Sequence, residues 1–217
     1  MIRGAIFDVD GTLMDSMWVW EQAFVRFVEE HGVTPDFGAG SEIFTLSLLE
    51  GAEYLKRELG LQQSAEEVCS EVAAIARELY FTKADLKPHV REFLEALKVA
   101  SVPMVVLTSG EAGLIKEVFV KFGILDYFEH IYAASNEGIS KREPTLWLRA
   151  AESIGAQPRD TWVFEDALYA ITVTKENGFH TVAIADSHSE ALQNNVREVA
   201  ELYWTEFPTR LPSELLA

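Results

Sequence analysis

The segment Asp8-Val9-Asp10-Gly11-Thr12 sets two carboxylates two residues apart, directly after the apolar run Ala5-Ile6-Phe7. On an extended backbone residues i and i+2 point the same way, and a glycine at Gly11 then lets the chain turn sharply. Two anions held this close repel, so the pair makes chemical sense when a cation, a proton or a phosphoryl centre comes between them. Three more groups follow downstream: Thr108-Ser109-Gly110, Ser140-Lys141 and Glu165-Asp166. Hydroxyls, a cation and a second acidic pair are the groups that hold a phosphoryl oxygen or a hard metal ion. Each has a bland explanation when taken singly. Ser109 could cap a helix over 111–122, Lys141 could be a solvated lysine beside Arg142 and Glu143, and Glu165-Asp166 could complement the start of a helix.

The elements that must position these groups follow from the hydropathy pattern. A strand is predicted over 3–8, then helices over 16–31, 41–59 and 64–82, separated by 32–40 and 60–63. Beyond Lys87 the pattern gives a helix over 88–100, a strand over 102–107, a helix over 111–122 and a strand over 130–134. It continues with a helix over 144–155, a strand over 161–165, a helix over 167–177, a strand over 180–184 and a short strand near 201–204. Met104-Val105-Val106-Leu107 and Thr161-Trp162-Val163-Phe164 are continuous apolar runs, the mark of parallel strands covered on both faces. The fold class is therefore α/β, a Rossmann-like parallel sheet with an all-helical insert after its first strand. Within the insert, Trp18, Trp20 and Phe24 are read as packing its own core. Leu13–Asp15 and 84–88 are the hinges, and His89 is a turn residue. Ligands of open α/β sheets bind beyond the carboxyl ends of the strands, and each reactive group falls at or near such an end.

Composition narrows the partners. The 217 residues carry 18 Lys plus Arg against 35 Asp plus Glu, a formal charge of −17, which disfavours nucleic acid and anionic membrane surfaces. No apolar run approaches the ~20 residues that span a bilayer, and the first strand begins too early to leave room for a signal peptide. The cytoplasm is the expected compartment; the sequence leaves the oligomeric state open, with a monomer favoured. The lone Cys69 has no second thiol for a disulfide or a metal site and is read as a small buried hydrophobe.

At its four motifs the chain resembles the haloacid dehalogenase superfamily of phosphohydrolases. The family's DxDGT motif stands at Asp8 to Thr12, its hydroxyl motif at Thr108, its lysine at Lys141 and its acidic motif at Glu165-Asp166, in the same order. The helical insert resembles a C1-type cap, which implies a core domain over 1–15 and 84–217 and a cap domain over 16–83. The resemblance implies a Mg²⁺-dependent phosphatase acting on a small phosphate ester, such as a sugar phosphate, through an aspartyl-phosphate. Asp8 would be the nucleophile and Asp10 the general acid and base, with Thr108 and Lys141 stabilising the phosphoryl oxygens. Thr12, Ser109 and Gly110 would help bind the phosphate. Asp8, Asp10 through its backbone carbonyl, Glu165 and Asp166 would hold the metal. An oxygen-only donor set without His or Cys suits Mg²⁺. The sequence departs from the family at Arg142, where proline usually follows the lysine, and at Ala167, where a small polar residue is common.

Rival readings remain. A phosphomutase of the β-phosphoglucomutase type usually carries valine at the position of Thr12 and a histidine early in the cap, and residues 15–25 hold none. A non-catalytic phosphate-binding protein would fit the departures at Arg142 and Ala167. A calcium loop counted from Asp8 needs Glu at its twelfth position, where Val19 stands.

Overall fold

A computed structural model of the protein describes residues 1–34, 43, 48–186 and 190–216. The chain runs through β1 (Gly4–Phe7), β2 (Met14–Asp15), α1 (Met17–Glu30), α2 (Leu48–Leu59), α3 (Ala65–Thr82) and β3 (Asp85–Leu86). It continues through α4 (Val90–Val99), β4 (Met104–Thr108), α5 (Ala112–Phe122), β5 (His130–Ala133), α6 (Ala134–Glu137), α7 (Pro144–Ser153) and β6 (Thr161–Glu165). The last elements are α8 (Leu168–Glu176), β7 (His180–Ile184), α9 (Glu190–Val199), β8 (Leu202–Trp204) and α10 (Ser213–Leu216). Six strands form one parallel sheet in the order β5-β4-β1-β6-β7-β8, so the first strand lies inside it. The chain divides into two compact units, Met1–Asp15 with Asp85–Ala217, and Ser16–Ala84.

Alternation along the strands sorts the side chains of the larger unit onto two faces. Phe7 and Phe164, opposite each other in the β1–β6 register, stack at 4.5 Å, and Phe93 of α4 meets both edge-on. Trp204 and Phe207 complete this aromatic layer, whose paired rings each add roughly 0.5–1.5 kcal/mol beyond area burial. Ile6, Val105, Leu107 and Val163 point to the other face, against Leu146, Trp147 and Ala150 of α7 and Ala170 of α8. The two residues that follow this second parity, Asp8 after Ile6 and Glu165 after Val163, are the carboxylates at the strand ends. Gly11 makes the turn after Asp10 at a φ of 86°, a conformation that favours glycine. Three residues on, β2 pairs antiparallel with β3, which joins the chain segments on either side of the insert.

The insert is helical, and Ser64 starts α3 with a capping box: its hydroxyl accepts the Glu67 N–H while the Glu67 carboxylate accepts the Ser64 N–H. The buried stripe of α1 is Val19, Ala23, Phe24, Phe27 and Val28. Trp18 and Trp20 are only half-buried, so of the three aromatics expected in this core Phe24 alone lies fully inside it. Cys69 is also half-buried rather than buried, its Sγ 3.6 Å from the Leu48 carbonyl oxygen. The part of the predicted helix over 41–47 lies outside the described residues apart from Ile43. His89 stands at φ 63° as the N-cap position of α4, the turn residue the sequence predicts. Among the described residues no helix is long and apolar enough to cross a membrane.

Candidate active site

Asp8 directly follows β1, its backbone N–H still donating to the Phe164 carbonyl of β6 at 3.0 Å. The pairing of Phe7 with Phe164 puts Asp8 beside Glu165, two buried anions on neighbouring strands. Lys141 resolves the conflict. Its ammonium donates to Asp8 Oδ1 at 2.6 Å and to Glu165 Oε1 at 2.5 Å, and all three side chains are less than a tenth exposed. Lys141 is therefore no solvated surface lysine. The indole N–H of Trp147, inside α7, donates to the Lys141 carbonyl at 2.8 Å, and the Lys141 ammonium lies 5.3 Å from the Trp147 ring centroid.

The remaining candidates gather around this centre in different degrees. Thr108 ends β4 fully buried, and its hydroxyl accepts the Gly110 N–H at 2.9 Å. A Cβ added to Gly110 would lie 3.2 Å from Thr108 Oγ1 and 3.6 Å from Asp10 Oδ2, so half-buried Asp10 faces the turn after β4. Ser109 is exposed and does not cap α5; Glu111 does, accepting the Gly113 N–H at 3.1 Å. Thr12 is fully buried in the turn after β1, and its hydroxyl meets no hydrogen-bond partner among the described residues. Glu165 serves two groups, since its second oxygen accepts the Ala167 N–H at 2.7 Å ahead of α8.

Two residues not singled out in the sequence also belong here. Trp147 fixes the backbone of Lys141, as above. Tyr169, in the first turn of α8, is half-buried and within electrostatic reach of Lys141, Glu165, Asp8 and the Ser109 side chain. Neither follows a spacing that sequence reading associates with chemistry; each looks like an ordinary helix residue.

Burial pushes the Asp8 carboxyl up to about 6; the Lys141 charge opposes this and the Glu165 charge adds to it. Asp166 is raised well above the usual carboxylate range by burial and by the charges of Glu165, Asp8 and Asp186. Burial alone would pull the Lys141 ammonium down, but the Asp8 and Glu165 charges outweigh it and hold the group protonated. One cation thus faces three buried carboxylates.

That imbalance tests whether a metal ion fits. Asp8, Glu165 and Asp166 each bring a carboxylate oxygen within 4.8 Å of the others. The set is all oxygen, as a hard divalent cation requires. The Asp10 carboxylate is not part of this group.

Comparison with known proteins agrees with the geometry. The profile of the haloacid dehalogenase-like hydrolases matches residues 2–178. Validoxylamine A 7'-phosphate phosphatase of Streptomyces hygroscopicus subsp. limoneus is 28% identical over 209 residues, covering 94% of this chain and 97% of that protein. Glyceraldehyde 3-phosphate phosphatase of Pyrococcus furiosus is 28% identical over 221 residues, covering 97% and 92%. The crystal structure of CbbY from Rhodobacter sphaeroides in complex with phosphate superposes with a TM-score of 0.77 at 19% identity, covering 95% of each chain. With the parallel sheet, the helical insert and a profile match that spans β1 through α8, the chain belongs to the haloacid dehalogenase-like hydrolase family.

Proposed function

We propose that the protein is a Mg²⁺-dependent phosphatase that hydrolyses a small phosphorylated metabolite, a sugar phosphate in the first instance, through an aspartyl-phosphate on Asp8. The observation that carries this reading is the buried Lys141 ammonium shared by Asp8 and Glu165, with Asp166 beside them. The relatives named above are phosphatases of small phosphorylated molecules, which supports the substrate class.

In this mechanism Asp8 attacks phosphorus, forming an Asp8 O–P bond as the ester P–O bond breaks, and Asp10 gives its proton to the departing alkoxide. Asp10 then takes a proton from water, whose oxygen attacks the phosphorus of the aspartyl-phosphate and releases inorganic phosphate with Asp8 restored. Lys141 holds Asp8 in place and offsets negative charge on the phosphoryl oxygens. Thr108, Ser109 and Gly110 orient the phosphoryl group, with Thr12 supporting the turn that carries Asp10. Asp8, Glu165 and Asp166, with the Asp10 backbone carbonyl, would hold Mg²⁺, which supplies charge neutralisation between the nucleophile and the phosphate. The inserted helical unit serves as the cap that selects the substrate.

Asp8→Asn is expected to abolish Mg²⁺-dependent hydrolysis of p-nitrophenyl phosphate while leaving the protein folded by circular dichroism. Full activity in that variant would overturn the mechanism.

A further inference from the structure

Arg142 directly follows Lys141, and the mechanism above gives it no task. Its backbone N–H donates to Ser140 Oγ at 3.2 Å, and its guanidinium carbon lies 4.2 Å from the centroid of the Tyr169 ring. Among the described residues no carboxylate pairs with it, although the chain holds 35 acidic residues against 18 Lys and Arg. Arg26 and Arg149, by contrast, are each tied to glutamates. Arg197 also lies over a ring, that of Tyr203 at 5.2 Å, but Arg142 directly adjoins the lysine that bridges Asp8 and Glu165.

Stacking on an aromatic face holds a guanidinium by the ring quadrupole and leaves its N–H donors, which lie in the guanidinium plane, available to a planar anion. Tyr169 is a platform within the site itself: it lies in the first turn of α8, three residues after Asp166, and its phenol is within electrostatic reach of Lys141 and Glu165. Lys141 cannot supply this service, because its ammonium is already committed to Asp8 and Glu165. One cation is thus buried on the reacting carboxylates, and a second, next in the chain, stands on Tyr169 with no carboxylate paired to it among the described residues.

We propose that Arg142, seated on Tyr169, is a specificity residue that takes a second anionic group, a carboxylate or a second phosphate, on the same substrate whose phosphoryl group passes to Asp8. The proposal rests on the phosphatase reading and adds the substrate's second charge to it. A bidentate guanidinium contact to such a group binds ground and transition states alike, so it acts on KM more than on kcat.

The test uses the full chain with Mg²⁺ and two substrate pairs. 2-Phosphoglycolate and 2-hydroxyethyl phosphate differ in a carboxylate, and glucose 1,6-bisphosphate and glucose 6-phosphate differ in a second phosphate. The native protein is expected to favour the doubly anionic member of one pair by about tenfold or more in kcat/KM, and the pair that shows it identifies the group. Arg142→Ala is expected to collapse that ratio to within about twofold, through KM, and Arg142→Lys to restore part of it. Turnover with no such preference, or a preference that Arg142→Ala leaves intact, overturns the role of Arg142 and leaves the phosphatase reading standing. If neither these esters nor p-nitrophenyl phosphate is hydrolysed, the phosphatase reading falls and takes this proposal with it.

Discussion

Replacing Lys141 by methionine would leave Asp8 and Glu165 facing each other inside the protein with no cation between them. Breaking a buried ion pair from one side typically costs roughly 3–5 kcal/mol, so Lys141→Met is expected to lower the urea midpoint sharply as well as activity. The Asp8 carboxyl, which Lys141 now pulls down, would rise further above about 6. The same shift predicts a pH dependence. An unfolded chain titrates aspartate near 3.9, below the folded value, so the folded state holds the Asp8 proton more tightly. Its contribution to stability is fully present below about pH 4 and is lost as pH rises through about 6, in metal-free protein. Asp166, also raised, acts in the same direction. Urea denaturation from pH 4 to 8 in chelator should show this decline, and saturating Mg²⁺ should remove most of it; stability that rises over that range without metal would contradict the assignment.

At the level of single elements, what the sequence made legible follows from which strands carry continuous apolar runs. β1, β4 and β6 announce themselves, and with them the groups at their ends, because parity puts Asp8 and Glu165 on one face. The two-residue strands β2 and β3 have too little pattern to be seen, and α9 is polar along most of Glu190–Val199, so its segment reads as a blank before the last strand. Tyr169 and Trp147 were not legible as site residues, since Trp147 acts by a hydrogen bond to the Lys141 carbonyl and Tyr169 by its nearness to Lys141 and Glu165, neither of which shows as spacing. Trp147→Phe keeps the ring and removes the N–H donor, and is expected to lower kcat for p-nitrophenyl phosphate by about tenfold with little change in KM, as loosened positioning of Lys141 requires. In α2, Gly51 admits Phe24 so closely that an added Cβ would fall 2.6 Å from the ring. Gly51→Ala is therefore expected to destabilise by about 1–2 kcal/mol in thermal unfolding, overpacking outweighing the helix-propensity gain.

Taken whole, the molecule carries a formal charge of −17 and is proposed to act on an anion. Long-range repulsion between them is screened by salt, with a Debye length of about 30 Å at 0.01 M and about 8 Å at 0.15 M. KM for a phosphate ester is thus expected to fall several-fold between those ionic strengths at fixed Mg²⁺, while kcat changes little. A protein that concentrated anions by its overall field would show the opposite slope in steady-state kinetics.

The interior place of β1 has a consequence for how the chain is made. During synthesis β1 leaves the ribosome first, yet its two neighbours, β4 and β6, follow only after the whole Ser16–Ala84 unit and, for β6, α7 as well. The insert's helices make their contacts within one short stretch of chain and can close early, whereas the nucleophile's strand must wait for distant partners. Lys141 is translated before Glu165, so the ammonium is at hand when the second carboxylate arrives. Asp8 therefore stays hydrated until the sheet shuts around it, and the anions are withdrawn from water only together with the cation that reconciles them.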